Sequence, residues 1–240
     1  MTDLHSHILY NVDDGSSNIE ESIALLKSLK KVGFNNVVLT PHYMDGSDYT
    51  TDNIEKEEKL AILKEKIKEE KINLNIYLGN EIFISSNIIE LYKDNQIHSI
   101  NNTRYLLIEF PFHNQILNME DIIYEIKYHG FIPIIAHPER YTYFQDDYDL
   151  VDSLKEEGVL FQCNYSSILG YYGKSAEKLI KYMLKKHYTD LLGTDIHHLN
   201  RSFVIDNFKK INKQIIKITG NEYYEKIIKN GDRVLNDEEI

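Results

Sequence analysis

The chain has 240 residues, 42% hydrophobic and 27% charged, with a formal net charge of −11. That size suits one large domain, and the acidic balance argues against nucleic acid or an anionic membrane as partner. The lone cysteine, Cys163, excludes an internal disulfide framework. No apolar run nears the ~18 residues that span a bilayer, no signal peptide precedes the first motif, and the expected location is the cytoplasm. In chain order, Ser17-Asn18-Ile19-Glu20 reads as a capping box opening a helix that runs to Gly33. Residues 36–40 read as a β-branched strand. Residues 52–71 carry Ile54, Leu60, Leu63 and Ile67 among Lys and Glu, the pattern of an amphipathic surface helix. A strand at 74–78, a short helix near 87–93 and a strand at 105–110 follow. Residues 119–129 read as a helix, 132–136 as a strand that tolerates Pro133 near its start, 148–157 as a helix and 159–163 as a strand. A helix at 175–186, a short strand at 190–193, and helices near 203–218 and 221–229 complete the chain. Repeated strand–helix alternation predicts a parallel sheet with helices outside. Seven or eight such units without a linker favour one domain, residues 1–240, built as a closed barrel.

The chemistry-bearing residues recur at the ends of these strands. Asp3-Leu4-His5-Ser6-His7 places two histidines on one side of extended backbone, where both can hold one metal ion. Later apolar runs lead into His42, Glu81, Glu109, His137, and the pair Asp195 and His197. Any one of these can equally be a hydrogen-bonded structural residue. Six strand ends acquiring the same chemistry point instead to one shared site at the mouth of a parallel barrel, where βα loops begin. His98, His129, His187 and His198 sit among polar neighbours and read as surface residues, whereas His113 follows a candidate strand and can reach the mouth. The loop Ile168-Leu169-Gly170-Tyr171-Tyr172-Gly173-Lys174 also falls on the mouth, either lining a substrate groove or serving as a simple connection.

The ordered motifs Asp3-Leu4-His5-Ser6-His7, Asp13-Asp14-Gly15, Thr40-Pro41-His42, Gly79-Asn80-Glu81-Ile82, Ile108-Glu109-Phe110-Pro111, Ala136-His137-Pro138-Glu139-Arg140 and Asp195-Ile196-His197 resemble the polymerase-and-histidinol-phosphatase superfamily. More narrowly, they are similar to its bacterial manganese-dependent protein-tyrosine phosphatases of capsule and exopolysaccharide operons. The resemblance implies a distorted (β/α)7–8 barrel with parallel strands and outer helices, carrying three divalent metal ions: Mn first, with Fe, Mg or Zn as alternatives. By motif, the ligands are His5, His7, Asp14, His42, Glu81, Glu109, His137, Asp195 and His197, with Asp13 the alternative to Asp14. Arg140 and Arg201 match the positions that hold substrate phosphate. The family often places a glycine before the second arginine, whereas the run His197-His198-Leu199-Asn200-Arg201 is one residue shorter. The implied substrate is a phosphotyrosine protein, a bacterial tyrosine kinase phosphorylated on its tail and regulating polysaccharide export.

That ligand set suits phosphate-ester hydrolysis. Four carboxylates against three divalent cations leave a local charge of about +2, able to attract a phosphate dianion into an acidic protein. Metal-activated water attacks in line, and guanidinium forks bind non-bridging oxygens. A thiol mechanism is set aside, because it needs Cys-x5-Arg and the residue six past Cys163 is Leu169. The competing readings are a histidinol-phosphatase-like enzyme for small phosphomonoesters and a non-catalytic interaction domain of the same fold.

Overall fold

The computed structural model describes residues 1–240; only the side chain of Arg201 lies outside the described residues. In order the elements are β1 (Thr2–Asp3), α1 (Ile19–Val32), β2 (Asn36–Leu39), β3 (His42–Tyr43), α2 (Asn53–Glu69), β4 (Asn75–Leu78), β5 (Glu81–Phe83), α3 (Ile88–Lys93) and β6 (Tyr105–Glu109). Then come α4 (Met119–Tyr128), β7 (Ile132–Ala136), α5 (Thr142–Asp146), α6 (Tyr148–Glu156), β8 (Leu160–Asn164), α7 (Lys174–Lys186), β9 (Leu191–Gly193), α8 (Phe203–Thr219) and α9 (Asn221–Leu235). Every pairing between these strands is parallel, in the orders β1-β2-β4 and β3-β5-β6-β7-β8-β9. The result is an α/β fold with a curled parallel sheet.

Two breaks explain why there are two ladders. Pro41 has no N–H to donate, so the run from Asn36 bends after Leu39 and resumes at His42. The neighbouring run bends at Gly79-Asn80, where Asn80 Nδ2 donates to Pro41 O at 2.8 Å. The amino-terminal segment bridges the two ladders: Thr40 N donates to Ser6 O at 2.8 Å, and His7 N donates to Ile196 O at 2.9 Å beside a parallel Ser6–Ile196 bridge.

Interior positions change character along the strands. Side chains alternate faces with period two. Tyr105 and Leu107 of β6, Ile134 and Ala136 of β7 and Leu191 of β9 share one buried cluster with Leu4, Val38, and Val234 and Leu235 of α9. Each such aliphatic residue contributes about 1.5–3 kcal/mol by leaving water. Farther along the same faces stand Glu109, Asn164 and Asp195, all buried. The site therefore sits on an apolar plug at the carboxyl ends of the strands.

Several elements depart from the sequence reading. The cap of α1 is Asn18, whose side chain accepts from Glu21 N, while Glu21 reaches back to Ser17 N and Oγ at 3.0 and 2.9 Å. The box is thus shifted by one residue, with Glu21 taking the part expected of Glu20. In α2 Ile54 is exposed, and the buried face instead takes Lys56, whose Nζ donates to Asn80 Oδ1 at 2.9 Å. The last helix continues through Gly231 to Leu235; a Cβ at that glycine would meet Thr2 Cβ at 3.0 Å, so glycine suits the close approach of α9 to β1.

Candidate metal centre and active site

His5 and His7 aim their Nε2 atoms at one point, 3.1 Å from each other. Glu81 Oε2 lies 3.2 Å from both, and Asp195 Oδ1 lies 3.6 and 3.5 Å away. Each ring is oriented through its other nitrogen: His5 Nδ1 stands 2.6 Å from Gln162 Oε1, and His7 Nδ1 stands 2.7 Å from Asp13 Oδ2. Both oxygens accept, so Nδ1 carries the hydrogen and Nε2 presents its lone pair to the centre. His197 repeats the device, its Nδ1 donating to Asp195 O at 3.0 Å.

The other candidates close around this pair. His42 Nδ1 is 3.0 Å from Glu81 Oε2 and 4.0 Å from Glu109 Oε2. Asp14 Oδ1 faces His42 Nε2 at 3.5 Å and His197 Nε2 at 3.6 Å. His137 Nε2 contacts Glu81 Oε1 at 2.8 Å and Glu109 Oε1 at 3.5 Å. All nine side chains expected as ligands thus gather in one place. Seven of them form overlapping groups able to hold a cation, namely His7, Asp14, His42 and His197; His5, His7 and Glu81; and His42, Glu81 and Glu109, with His137 and Asp195 standing beside these groups. Adjacent Asp13 and Asp14 divide the work. Asp13 turns inward, its Oδ2 accepting from His42 N and Oδ1 from Gly15 N, both at 2.9 Å, whereas Asp14 lines the cavity.

Local backbone geometry makes this crowding feasible. A Cβ at Gly15 would fall 2.0 Å from His7 O, so only glycine allows the Asp13–Gly15 turn to fold over His7. His137 and Asp195 hold left-handed backbone, φ 31° and φ 51°, at a cost of about 1–3 kcal/mol each. Both follow the ends of strands, where that twist directs the side chain across the centre.

The electrostatics reflect carboxylates packed in a dry place. Burial and the neighbouring Glu81 carboxylate push Glu109 up to about 8. Burial resists charging of His5, but Glu81 and Asp195 outweigh it and raise the ring to about 9. Burial and the Arg140 charge lower His137 to about 4. Three oriented imidazoles converge beside crowded carboxylates that favour positive charge on His5 and His7, so divalent cations replacing those protons fit the site in donor chemistry and in charge.

A cavity of about 360 Å³ opens over the cluster, lined also by Met44, Tyr49, Phe112, Arg140, Tyr171 and Tyr172. Arg140 Nη1 donates to Asp195 Oδ2 at 2.9 Å, and Asn164 Nδ2 donates to the same oxygen at 2.8 Å. The side chain of Arg201 is outside the described residues; its backbone closes the turn Leu199–Arg201. Of the loop 168–174, Tyr171 and Tyr172 reach the cavity. His113 is exposed, and its neighbour Phe112 is the residue that lines the site. His98, read as a surface residue, is buried, its Nε2 facing Glu57 Oε1 at 3.5 Å without a hydrogen bond, and burial together with Lys56 lowers it to about 4. Gln162, Asn164 and Glu139 were not singled out from the sequence. Gln162 and Asn164 carried a signal, two amides on the same face of an otherwise apolar strand. Glu139, buried, accepts from Asn164 N at 2.8 Å and Ser167 Oγ at 2.6 Å, tying the strand end to the turn before Arg140.

The model of the capsular polysaccharide synthesis family CpsB/CapC matches residues 1–236. The chain is 38% identical to the CapC protein of Staphylococcus aureus over 244 residues, covering 100% of this chain and 93% of that protein. It is 30% identical to the tyrosine-protein phosphatase YwqE of Bacillus subtilis strain 168, covering 83% and 78%. A solved structure from work on YwqE of Bacillus subtilis and CpsB of Streptococcus pneumoniae, described as unique metal-dependent tyrosine phosphatases, superposes with a TM-score of 0.93 at 27% identity. That match covers 100% of this chain and 96% of the other.

Proposed function

The chain belongs to the CpsB/CapC family of capsular polysaccharide synthesis, and on that premise we propose that it is a metal-dependent protein-tyrosine phosphatase. The observation that carries the reading is the convergence of nine ligand-type side chains beneath a cavity whose rim is aromatic. The two parallel ladders and the Ser6–Ile196 bridge between them support reading the scaffold as a single domain of seven or eight βα units. His5, His7, Asp14, His42, Glu81, Glu109, His137, Asp195 and His197 would hold three divalent cations. Mn is the preferred ion, because the set mixes carboxylates with imidazoles and has no thiolate.

When bound, the cations supply a nucleophile from water near neutral pH and neutralise charge on the phosphoryl oxygens. The chain's own residues do the rest. Gln162, Asp13 and the Asp195 carbonyl hold His5, His7 and His197 in register, so their lone pairs need no reorganisation. Arg140, with Arg201, grips non-bridging oxygens, and the fork geometry of a guanidinium fixes the orientation of the phosphoryl group. Tyr49 and Tyr171 at the rim suit the flat ring of phosphotyrosine. Phenolate, with a pKa near ~10, leaves without strong acid assistance. Cys163 has no part, being fully buried with its thiol pushed well up by burial.

The proposed substrate is a phosphotyrosine protein, specifically the tail of a tyrosine kinase that regulates capsule or exopolysaccharide synthesis, and the proposed setting is the cytoplasm. No helix among the described residues is long and apolar enough to cross a membrane. The family and the gathered ligand set favour this reading over a small-molecule phosphomonoesterase or a non-catalytic domain. Turnover of phosphotyrosine peptides beside small alkyl phosphomonoesters tests it: a marked preference for the peptides is expected, and a preference for the alkyl esters would replace it.

A further inference from the structure

Arg140 is clasped between two aromatic rings. Its guanidinium carbon stands 4.6 Å from the ring centroid of Phe112 and 4.5 Å from that of Tyr172. The three residues come from different loops, after β6, β7 and β8. Phe112 is itself fixed, stacked on His137 with centroids 5.6 Å apart, its carbonyl accepting from Thr142 N at 2.8 Å. Tyr172 is fixed by its hydroxyl, 3.3 Å from Asp195 Oδ2.

A ring face attracts the cation without consuming any of its N–H donors. Two faces therefore hold the guanidinium plane while leaving donors on its edge for a ligand. An arginine free in solvent must surrender several rotatable bonds when it grips a phosphate; one already clasped surrenders fewer. We propose that Phe112 and Tyr172 are positioning residues that preorganise Arg140 for the substrate phosphate, a role resting on the reading of this centre as a phosphatase site. Their contacts with His137 and Asp195 seat the two rings, and the contribution proposed here is the one they make to Arg140, which metal stoichiometry measured beside phosphate binding separates from any effect on the ligands.

The test is a double-mutant cycle on metal-loaded protein, read by the KM for a phosphotyrosine peptide and by calorimetric binding of inorganic phosphate. Phe112→Leu and Tyr172→Leu, both in half-buried loop positions, are each expected to weaken phosphate binding and raise KM by about 5-fold, with metal stoichiometry unchanged. Phe112→Tyr, which keeps a ring face, is expected to restore most of the loss. In an Arg140→Ala background the leucine substitutions should have almost no further effect. Undiminished effects in that background, or wild-type phosphate affinity in both leucine variants, would overturn the clasp. The phosphate measurement stands apart from turnover: protein that binds phosphate with the expected coupling but leaves phosphopeptides intact defeats the phosphatase reading and keeps the clasp. Wild-type protein that binds no phosphate defeats the clasp itself.

Discussion

Asp195 is shared between two tasks, and its contact with Arg140 marks the boundary: Oδ2 accepts from Arg140 Nη1 at 2.9 Å, while Oδ1 faces His5, His7 and His197 at 3.5–3.6 Å. One carboxylate thus joins the residue proposed to grip phosphate to the cluster proposed to hold metal. The two tasks can still be separated by substitution, because among the described residues the hydrogen bond and ion pair that Arg140 makes with the cluster are to Asp195.

Arg140→Ala should keep its full metal complement and lose about 10²-fold in kcat/KM, the loss of a charge-assisted contact worth ~3 kcal/mol. Arg201→Ala should act in the same direction. His5→Ala and Asp195→Ala should lose metal and activity together. Metal stoichiometry and steady-state kinetics on the same preparations decide the matter, and wild-type kinetics in Arg140→Ala would make Arg140 merely a salt-bridge partner of Asp195.

Asp13 offers a sharper contrast with its neighbour. Its Oδ2 accepts from both His7 Nδ1 and His42 N, and that pairing holds its carboxyl near 2 against the opposing effect of burial. Asp13→Asn should therefore weaken metal affinity by about 10–100-fold without removing a ligand, as expected for the partner of a ligating histidine. Competition with a chelator of known affinity measures this, and an unchanged affinity would show that the charge of Asp13 contributes nothing to the metal affinity of His7.

Cys163→Ser should leave turnover within about 3-fold of wild type, since a site lacking the arginine partner of a reactive thiol has no use for the sulfur. Cys163 Sγ lies 3.5 Å from Thr189 Oγ1 in the core. A loss of several orders of magnitude with the fold intact, checked by circular dichroism, would revive a thiol mechanism.

The legible part of this chain was the part governed by period two. Apolar runs ending in His, Glu or Asp marked the strand ends, because a polar side chain there needs a partner across the sheet. The strand-end histidines and acids accordingly meet. What was illegible depended on partners distant in sequence. Lys56 reads as a solvated charge on a helix face, yet it is buried because Asn80 and Gln96 O, from other segments, supply its acceptors. Phe112 carries no signal of its own, and Tyr172 lies in a loop that reads equally as groove lining or simple connection, until three loops bring both onto Arg140. The helix expected near 221–229 runs on to Leu235 through Gly231, where the approach to Thr2, a residue distant in sequence, suits a glycine.

Lys56 also gives a pH dependence. Burial lowers its ammonium to about 7, outweighing Asp52 and Glu57, from an ordinary value of 10.5. Between these values the unfolded chain binds the proton that the folded chain has released, so the contribution of this residue to stability rises with pH from about 7 to 10.5 and is lowest below 7. Urea unfolding of chelated protein at pH 6.5 and pH 9, wild type beside Lys56→Met, isolates the effect. The difference should move in favour of wild type by on the order of 2 kcal/mol at the higher pH. A difference that stays constant would mean that Lys56 remains charged in the folded protein throughout.

The proposed phosphatase chemistry stands on cations held by His5, His7, Asp14, His42, Glu81, Glu109, His137, Asp195 and His197. The most direct measurement is phosphotyrosine-peptide turnover during exhaustive chelation and stepwise return of single metals, with bound metal quantified at each step. Activity should vanish with the metal and return with it, most fully with Mn as occupancy approaches three ions per chain. Full turnover in protein verified to be free of metal would mean that these nine side chains hold no catalytic ion.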